Sequence, residues 1–204
     1  MPKVVDHDLR RSELADAALA IAAEHGIKAV TTRAVAERSG WSTGVLNHYF
    51  KSHRDLLLGA LRRAAEIQGR MFRELRLDAT TDPLRRLKLF VESVLPLDDR
   101  RVAMTRIFLV FYAEAAADPA AREEVADYLH NWRRVVERII VEAQKTGQVD
   151  PALSASRLAV ELVGLSDGLA MHAMLDPDIL AQLTAHGFEL TLLDRHWRLA
   201  PAGP

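Results

Sequence analysis

The chain is expected to be all-α, and two observations lead there. Almost every segment repeats its apolar residues at the helical spacing of three and four, and none alternates convincingly with period two. Glycine, Asp-Pro and Ser/Thr punctuation then cuts the sequence into about nine helix-length pieces.

The first piece, "LRRSELADAALAIAAEHG", places Leu14, Ala17, Ala18, Ile21 and Ala22 on one face, and Gly26 is its natural stop. Thr31 is a good N-cap for "TRAVAERS", whose inward residues are Val35 and Ala36 and which Gly40 ends; Ser42 caps "TGVLNHYF". The fourth helix starts near His53 and carries Leu57, Leu61, Ala64, Ile67, Met71 and Leu75 on one side over a length of roughly 35 Å. Asp82-Pro83 opens the fifth and Pro96 closes it. "VAMTRIFLVFYAEAAAD" is apolar nearly all round at its centre, as a buried helix is. Asp118-Pro119 and "KTGQVDP" bracket a long seventh helix, Ala120 to Lys145. The eighth, about Leu153 to Leu175, and the ninth, about Ile179 to Trp197, are parted by Asp176-Pro177.

At 204 residues with 49% hydrophobic content the chain has ample material for a core. It contains no cysteine, which removes disulfides, thiolate zinc sites and cysteine nucleophiles together and suits a reducing compartment. No apolar run is expected to reach the roughly 18 residues of a membrane span, so a cytoplasmic location without membrane contact is expected. The net charge of -1 hides a local imbalance. From Lys28 to Arg54 five basic residues, Lys28, Arg33, Arg38, Lys51 and Arg54, face one acid, Glu37, an excess of +4.

That basic segment contains "TTRAVAERSGWSTGVLNHYF", Thr31 to Phe50: two short capped helices about a tight turn. Such a helix-turn-helix lays its second helix in a DNA major groove. Small residues, Thr43 and Gly44, permit close approach to base edges, and Asn47 offers the donor and acceptor pair suited to adenine. Lys51 and Arg54 stand where phosphates pass. The residues expected to face DNA are Thr31, Thr32, Arg33, Trp41, Ser42, Thr43, Gly44, Asn47, His48, Tyr49, Lys51, His53 and Arg54. Within this set Thr31 and Ser42 also serve as caps, Tyr49 has a packing reading beside a phosphate one, and His53 also reads as a partly solvated helix start. Trp41 either packs under the helices or meets the DNA backbone.

Catalysis finds little support. There is no H-E-x-x-H pair, glycine-rich phosphate loop or nucleophile elbow, and Glu123-Glu124 point to different helix faces. No metal and no cofactor is expected. The rival class is a small helical ligand-binding protein or hydrolase without DNA binding, which leaves the basic segment unexplained.

The residues Thr31, Arg33, Val35, Ala36, Gly40, Ser42, Gly44, Leu46, Tyr49, Phe50 and Leu56 follow the pattern T-x-R-x-I-A-x-x-A-G-V-S-x-G-x-[LI]-Y-x-[HY]-F-x-x-K-x-x-L. In this the chain resembles TetR-family transcriptional regulators, with closest likeness to the BetI-like branch. Its departures are Asn47 at the usual tyrosine, Trp41 at the usual valine, His53 at the usual lysine and Ala34 at a common acidic position. Farther on, "GQVDPALSASRLAVELVGLSDGLAMHAMLDP" is similar to the dimerising region of many members.

The resemblance implies a DNA-binding domain over 1–55 and a ligand-binding and dimerisation domain over 56–204. It implies a homodimeric repressor on a pseudo-palindromic double-stranded operator, released when a small-molecule effector shifts helix four. The effector is expected among Gln68, Met71, Phe72, Met104, Phe108, Phe111, Tyr112, Tyr128, Trp132, Asp167 and His172; it is taken to be mostly apolar, with a choline-like quaternary ammonium as one candidate. The dimer interface is expected at Leu158, Leu162, Leu165, Leu169, Leu183 and Phe188 on helices eight and nine, where Gly164 and Gly168 let helices approach.

Overall fold

A computed structural model describes residues 7–74 and 82–185. In order come α1 (His7–His25), a 3₁₀ turn (Ile27–Ala29), α2 (Thr32–Ser39), α3 (Thr43–Tyr49), α4 (His53–Glu74), α5 (Pro83–Val94), α6 (Asp99–Ala117), α7 (Pro119–Lys145), α8 (Ala155–Leu175) and α9 (Pro177–Ala185). Among the described residues there is no strand. The starts read from Thr31, Ser42 and Asp82-Pro83 stand where expected, because each is a local signal, a side-chain oxygen on a free N–H or a proline in the first turn, and α4 begins at His53 as expected, with Ser52 Oγ accepting the Asp55 N–H at 3.0 Å. The second half of the expected ninth helix lies outside the described residues.

The described residues fall into two compact units. One holds the chain up to Gln68 together with Arg106–Val125; the other holds Gly69–Thr105 and the chain from Ala126 onward. The expected boundary after residue 55 does not coincide with this packing division, which keeps most of α4 and α6 with the N-terminal helices.

The buried residues of the first unit include Leu14, Ala18, Ile21 and Ala22 of α1, Val35 and Ala36 of α2, Leu46 of α3 and Leu56 and Leu61 of α4. Forked Arg-carboxylate pairs join its helices. Arg63 of α4 grips Asp16 of α1 at 2.7 and 2.9 Å, and Arg38 of α2 grips Glu24 of α1 at 2.7 and 2.6 Å. The Arg38 guanidinium holds the Glu24 carboxyl below its ordinary range. Arg62 pairs with Glu124 at the start of α7.

The second unit is built on Leu87, Phe90 and Val91 of α5, Val136, Ile139 and Ile140 of α7, and Leu158, Leu162 and Val163 of α8. Contrary to the sequence expectation, α8 is 21 residues long and apolar enough to match a membrane span by length and composition. Its apolarity has two faces: Leu158, Ala159, Leu162, Val163, Ser166, Ala170 and Ala173 are buried, while Val160, Met171 and Leu175 are exposed.

Candidate nucleic-acid interface

The face around α2 and α3 is set by local chemistry. Thr31 Oγ1 accepts the Ala34 N–H at 3.1 Å, and Ser42 Oγ accepts the Val45 N–H at 3.2 Å. Between the helices Gly40 takes φ 73° and ψ 11°, a left-handed conformation that costs glycine nothing and lets its N–H reach the Glu37 carbonyl, with the Trp41 N–H reaching Ala36. Leu46 and Phe50, 1% and 2% exposed, anchor α3 from below. Thr43, Gly44, Asn47 and His48 are left exposed together on its outer side. A methyl built on Gly44 would meet Ser42 Oγ at an ordinary 3.6 Å, so the protein's own packing does not demand glycine there.

Other expected contact residues are employed inside the protein. Arg54 is paired with Asp118, N to O 2.5 Å, and is not a free phosphate ligand in this structure. Two backbone N–H groups of the α7 start, Ala120 and Ala121, also reach that Asp118 carboxylate at 2.8 and 3.0 Å. The Ala121 N–H first, then Arg54 and the Ala120 N–H, hold Asp118 below the usual aspartate range. The His53 ring donates through Nε2 to the Val30 carbonyl at 2.6 Å, tying the start of α4 to the turn before α2. Tyr49 hydrogen-bonds His7 Nδ1 through its hydroxyl at 3.0 Å. Trp41 donates its indole N–H to Glu13 at 3.3 Å, so it packs on α1.

Lys51 remains exposed and reaches the carbonyl of His48 at 3.0 Å, where its positive charge stays unneutralised. Arg33 is exposed too. The sequence count of +4 therefore overstates the free charge. Arg38 and Arg54 are neutralised by Glu24 and Asp118 from outside the segment, while Lys28, Arg33 and Lys51 have no carboxylate partner among the described residues.

The expected effector residues divide between the units. Gln68, Phe108, Phe111 and Tyr112 belong to the first, where Phe108 and Tyr112 stand 6.2 Å apart. Met71, Phe72, Met104, Tyr128, Trp132, Asp167 and His172 belong to the second. There Trp132 is ringed by Phe72 at 5.0 Å, Phe90 at 5.3 Å and Tyr128 at 6.0 Å. Asp167 shares with Phe90, Tyr128 and Trp132 a void of about 10 Å³, at the lower limit for one water. Phe90 was not among the expected residues; at the hydrophobic period of α5 it reads as plain core. His172 is exposed on α8 and does not line this void.

The expected interface needs a similar correction. Leu158 and Leu162, 5% and 1% exposed, are spent on the chain's own core, and Leu165 and Leu169 pack partly against it. The side chain of Leu183 and all of Phe188 lie outside the described residues. What α8 leaves outward is Val160, Met171 and Leu175 at 52%, 39% and 76% exposure, with Gly164 and Gly168, whose Cβ positions are open.

A capped helix-turn-helix with an exposed second helix, followed by a separate helical region, defines a DNA-binding protein of the regulator class rather than an enzyme. Sequence comparison agrees. The profile for bacterial regulatory proteins of the tetR family matches residues 14–60, and that for the C-terminal part of BetI-type transcriptional repressors matches residues 83–197. The chain belongs to the TetR family of transcriptional regulators. It is 28% identical to the HTH-type transcriptional regulator PksA of Bacillus subtilis over 87% of this chain and 84% of that protein. It is 30% identical to BetI of Burkholderia lata over 86% and 87%. A transcriptional regulator from Rhodococcus sp. Rha1, 26% identical, superposes with a TM-score of 0.74 over 90% of this chain and 92% of that one. A Saccharomonospora viridis regulator crystallised with choline, 24% identical, gives 0.78 over 95% and 100% and shares the fold.

Proposed function

We propose that the protein binds a pseudo-palindromic operator as a homodimer and releases it when a small cationic or apolar effector enters the second unit. The observation that carries the DNA half is the exposed set Thr43, Gly44, Asn47 and His48 on a helix otherwise pinned by Leu46 and Phe50. Asn47 reads a base, Lys51 and Arg33 hold phosphates, and His53 and Arg54 brace the unit from behind. The stripe Val160, Gly164, Gly168, Met171 and Leu175 recurs at three and four residues along α8, the spacing of one helix face. A second copy of α8 is the partner this stripe fits: the glycines admit a close backbone and the flanking apolar side chains are covered. Two such subunits present two α3 helices to two half-sites, which is why the operator is palindromic.

The effector reading rests on Trp132, Phe72, Tyr128 and Asp167. Aromatic faces beside a carboxylate are the chemistry that holds a quaternary ammonium, by cation–π attraction and charge. The void is far smaller than such a ligand, so the rings must part for it to enter. That requirement makes binding conformationally selective: the ligand favours an opened state, and DNA release follows if that state holds the operator less well. Phe72 lies on α4, the helix that starts just behind the recognition helix, and thereby supports a link between the two events.

Choline, titrated into the operator complex, tests the reading. Release by the wild type and a strongly weakened response in Asp167→Asn and Tyr128→Ala, with ligand-free DNA affinity unchanged, is the expected outcome. Equal release by wild type and both variants would remove the effector from this cluster, and no release of the wild type would refute the quaternary ammonium.

A further inference from the structure

Trp41 is left over by the function just described: a large aromatic at the turn, one residue before the cap of α3, where the family pattern has valine. Its surroundings explain it. Arg10 of α1 lies flat over the ring, its guanidinium carbon 3.6 Å from the ring centroid. Glu13, one turn along α1, accepts the indole N–H at 3.3 Å and stands 3.7 Å from Arg10 Nε. Trp41 is thus fixed at its edge by Glu13 and offers its face to Arg10.

We propose that Arg10 is a DNA-phosphate ligand of this protein and that Trp41 is the residue that positions it. A stacked guanidinium uses its face on the aromatic ring, while its N–H donors point outward in the plane. Arg10 comes no nearer to Glu13 than 3.7 Å, so its guanidinium N–H groups have no hydrogen-bond acceptor among the described residues, and the side chain is 26% exposed. Stacking fixes the long side chain before DNA arrives, which lowers the ordering cost of the contact.

The neighbouring arginines contrast with it. Arg11 reaches the Tyr49 carbonyl at 3.5 Å and Asp55 at 3.8 Å and covers the Phe50 ring; Arg38 is clasped by Glu24 and Arg54 by Asp118. Those three hold the unit together. Arg10 instead keeps open donors beside the turn that leads into the exposed recognition helix. The ligand is the sugar-phosphate backbone, because a stacked arginine at the turn flanks the base-reading residues of α3. Glu13 sets the limit on strength: it offsets part of the Arg10 charge, so the contact depends on the geometry that Trp41 imposes.

The inference rests on the DNA-binding reading, and the test separates the two. Binding of the full-length protein to random-sequence duplex DNA is measured by fluorescence anisotropy across a salt series, with a melting curve for each variant. The wild type supplies the reference slope of log K against log salt. Arg10→Ala is expected to flatten that slope by about 0.9, the contribution of one phosphate on duplex DNA. Trp41→Leu should flatten it too, and the double variant should go no further than Arg10→Ala. Trp41→Phe, which keeps an aromatic face and disturbs packing least, should retain most of the slope. An unchanged slope in Arg10→Ala overturns the phosphate contact. Additive losses in the double variant, or a Trp41→Phe slope as flat as that of Arg10→Ala, overturn the positioning role. A wild type without salt-dependent binding would instead fail the DNA-binding reading itself.

Discussion

Gly59→Ala should lower DNA affinity more than it lowers stability. Gly59 lies in α4, and a methyl built on it would stand 2.4 Å from Phe50 Cε1, 3.2 Å from Cζ and 3.3 Å from Cδ1. Phe50 closes the C-terminus of α3 and is 2% exposed, so its ring has little room to retreat. In an open helical site the exchange would stabilise by about 1 kcal/mol through helix propensity. Here overpacking costs about 1–3 kcal/mol. The net loss falls between zero and about 2 kcal/mol, a drop in melting temperature of up to roughly 8 °C for a domain of this size. Relief requires the Phe50 ring to move, and with it the end of the recognition helix. Thermal melting and operator titration of the same preparation measure both quantities. In a Phe50→Leu background the same substitution should become stabilising by about 1 kcal/mol, since the ring is gone. A raised melting temperature with unchanged DNA affinity for Gly59→Ala alone would refute this reasoning.

Three further outcomes follow from the same structure. Ser42→Ala and Thr31→Ala each remove a cap and should cost about 1 kcal/mol in denaturant unfolding, with Ser42→Ala also weakening operator binding because it frees the start of α3. Val160→Arg and Leu175→Arg should shift the protein to a monomer in sedimentation while leaving the subunit folded, whereas Leu162→Ala should cost about 2–5 kcal/mol of subunit stability from a core cavity. Asp118 is held below the ordinary aspartate value, about 3.9, in the folded chain. Its contribution is therefore complete above that value and is lost as pH falls through the lower folded one. Asp118→Asn should flatten the stability loss measured by urea unfolding between about pH 5 and about pH 2.

What the sequence made legible was whatever depends on near neighbours. Thr31, Gly40 and Ser42 act within four residues of themselves, and so the helix-turn-helix and its exposed face could be read directly. Leu46 and Phe50 followed from helical period. The failures are contacts at long range. Arg54 and Asp118 are 64 residues apart, His53 and Val30 23, and Trp41 and Glu13 28, and no local pattern announces such pairs. For α8 the difficulty was different. A helix apolar on two faces gives no internal sign of which face its own subunit takes, and Leu158 and Leu162 went inward where Val160 and Leu175 did not. Tyr128 and Trp132 stood out in the sequence as aromatics, but their closure with Asp167 onto a void of about 10 Å³ is a matter of packing that composition cannot show.

Selection of bound fragments from random duplex DNA, followed by rebinding with Asn47→Ala and Val160→Arg, decides whether this chain reads DNA as a two-fold dimer through α3. A dimer of that kind enriches a pseudo-palindrome whose half-sites lie about one helical turn apart or a multiple of it. Asn47→Ala should relax preference at one position in each half by about 1–3 kcal/mol, and Val160→Arg should abolish tight binding to the full site. Enrichment of a single asymmetric element, bound equally well by Val160→Arg, would contradict the dimer; no enrichment over the starting pool would contradict DNA reading itself.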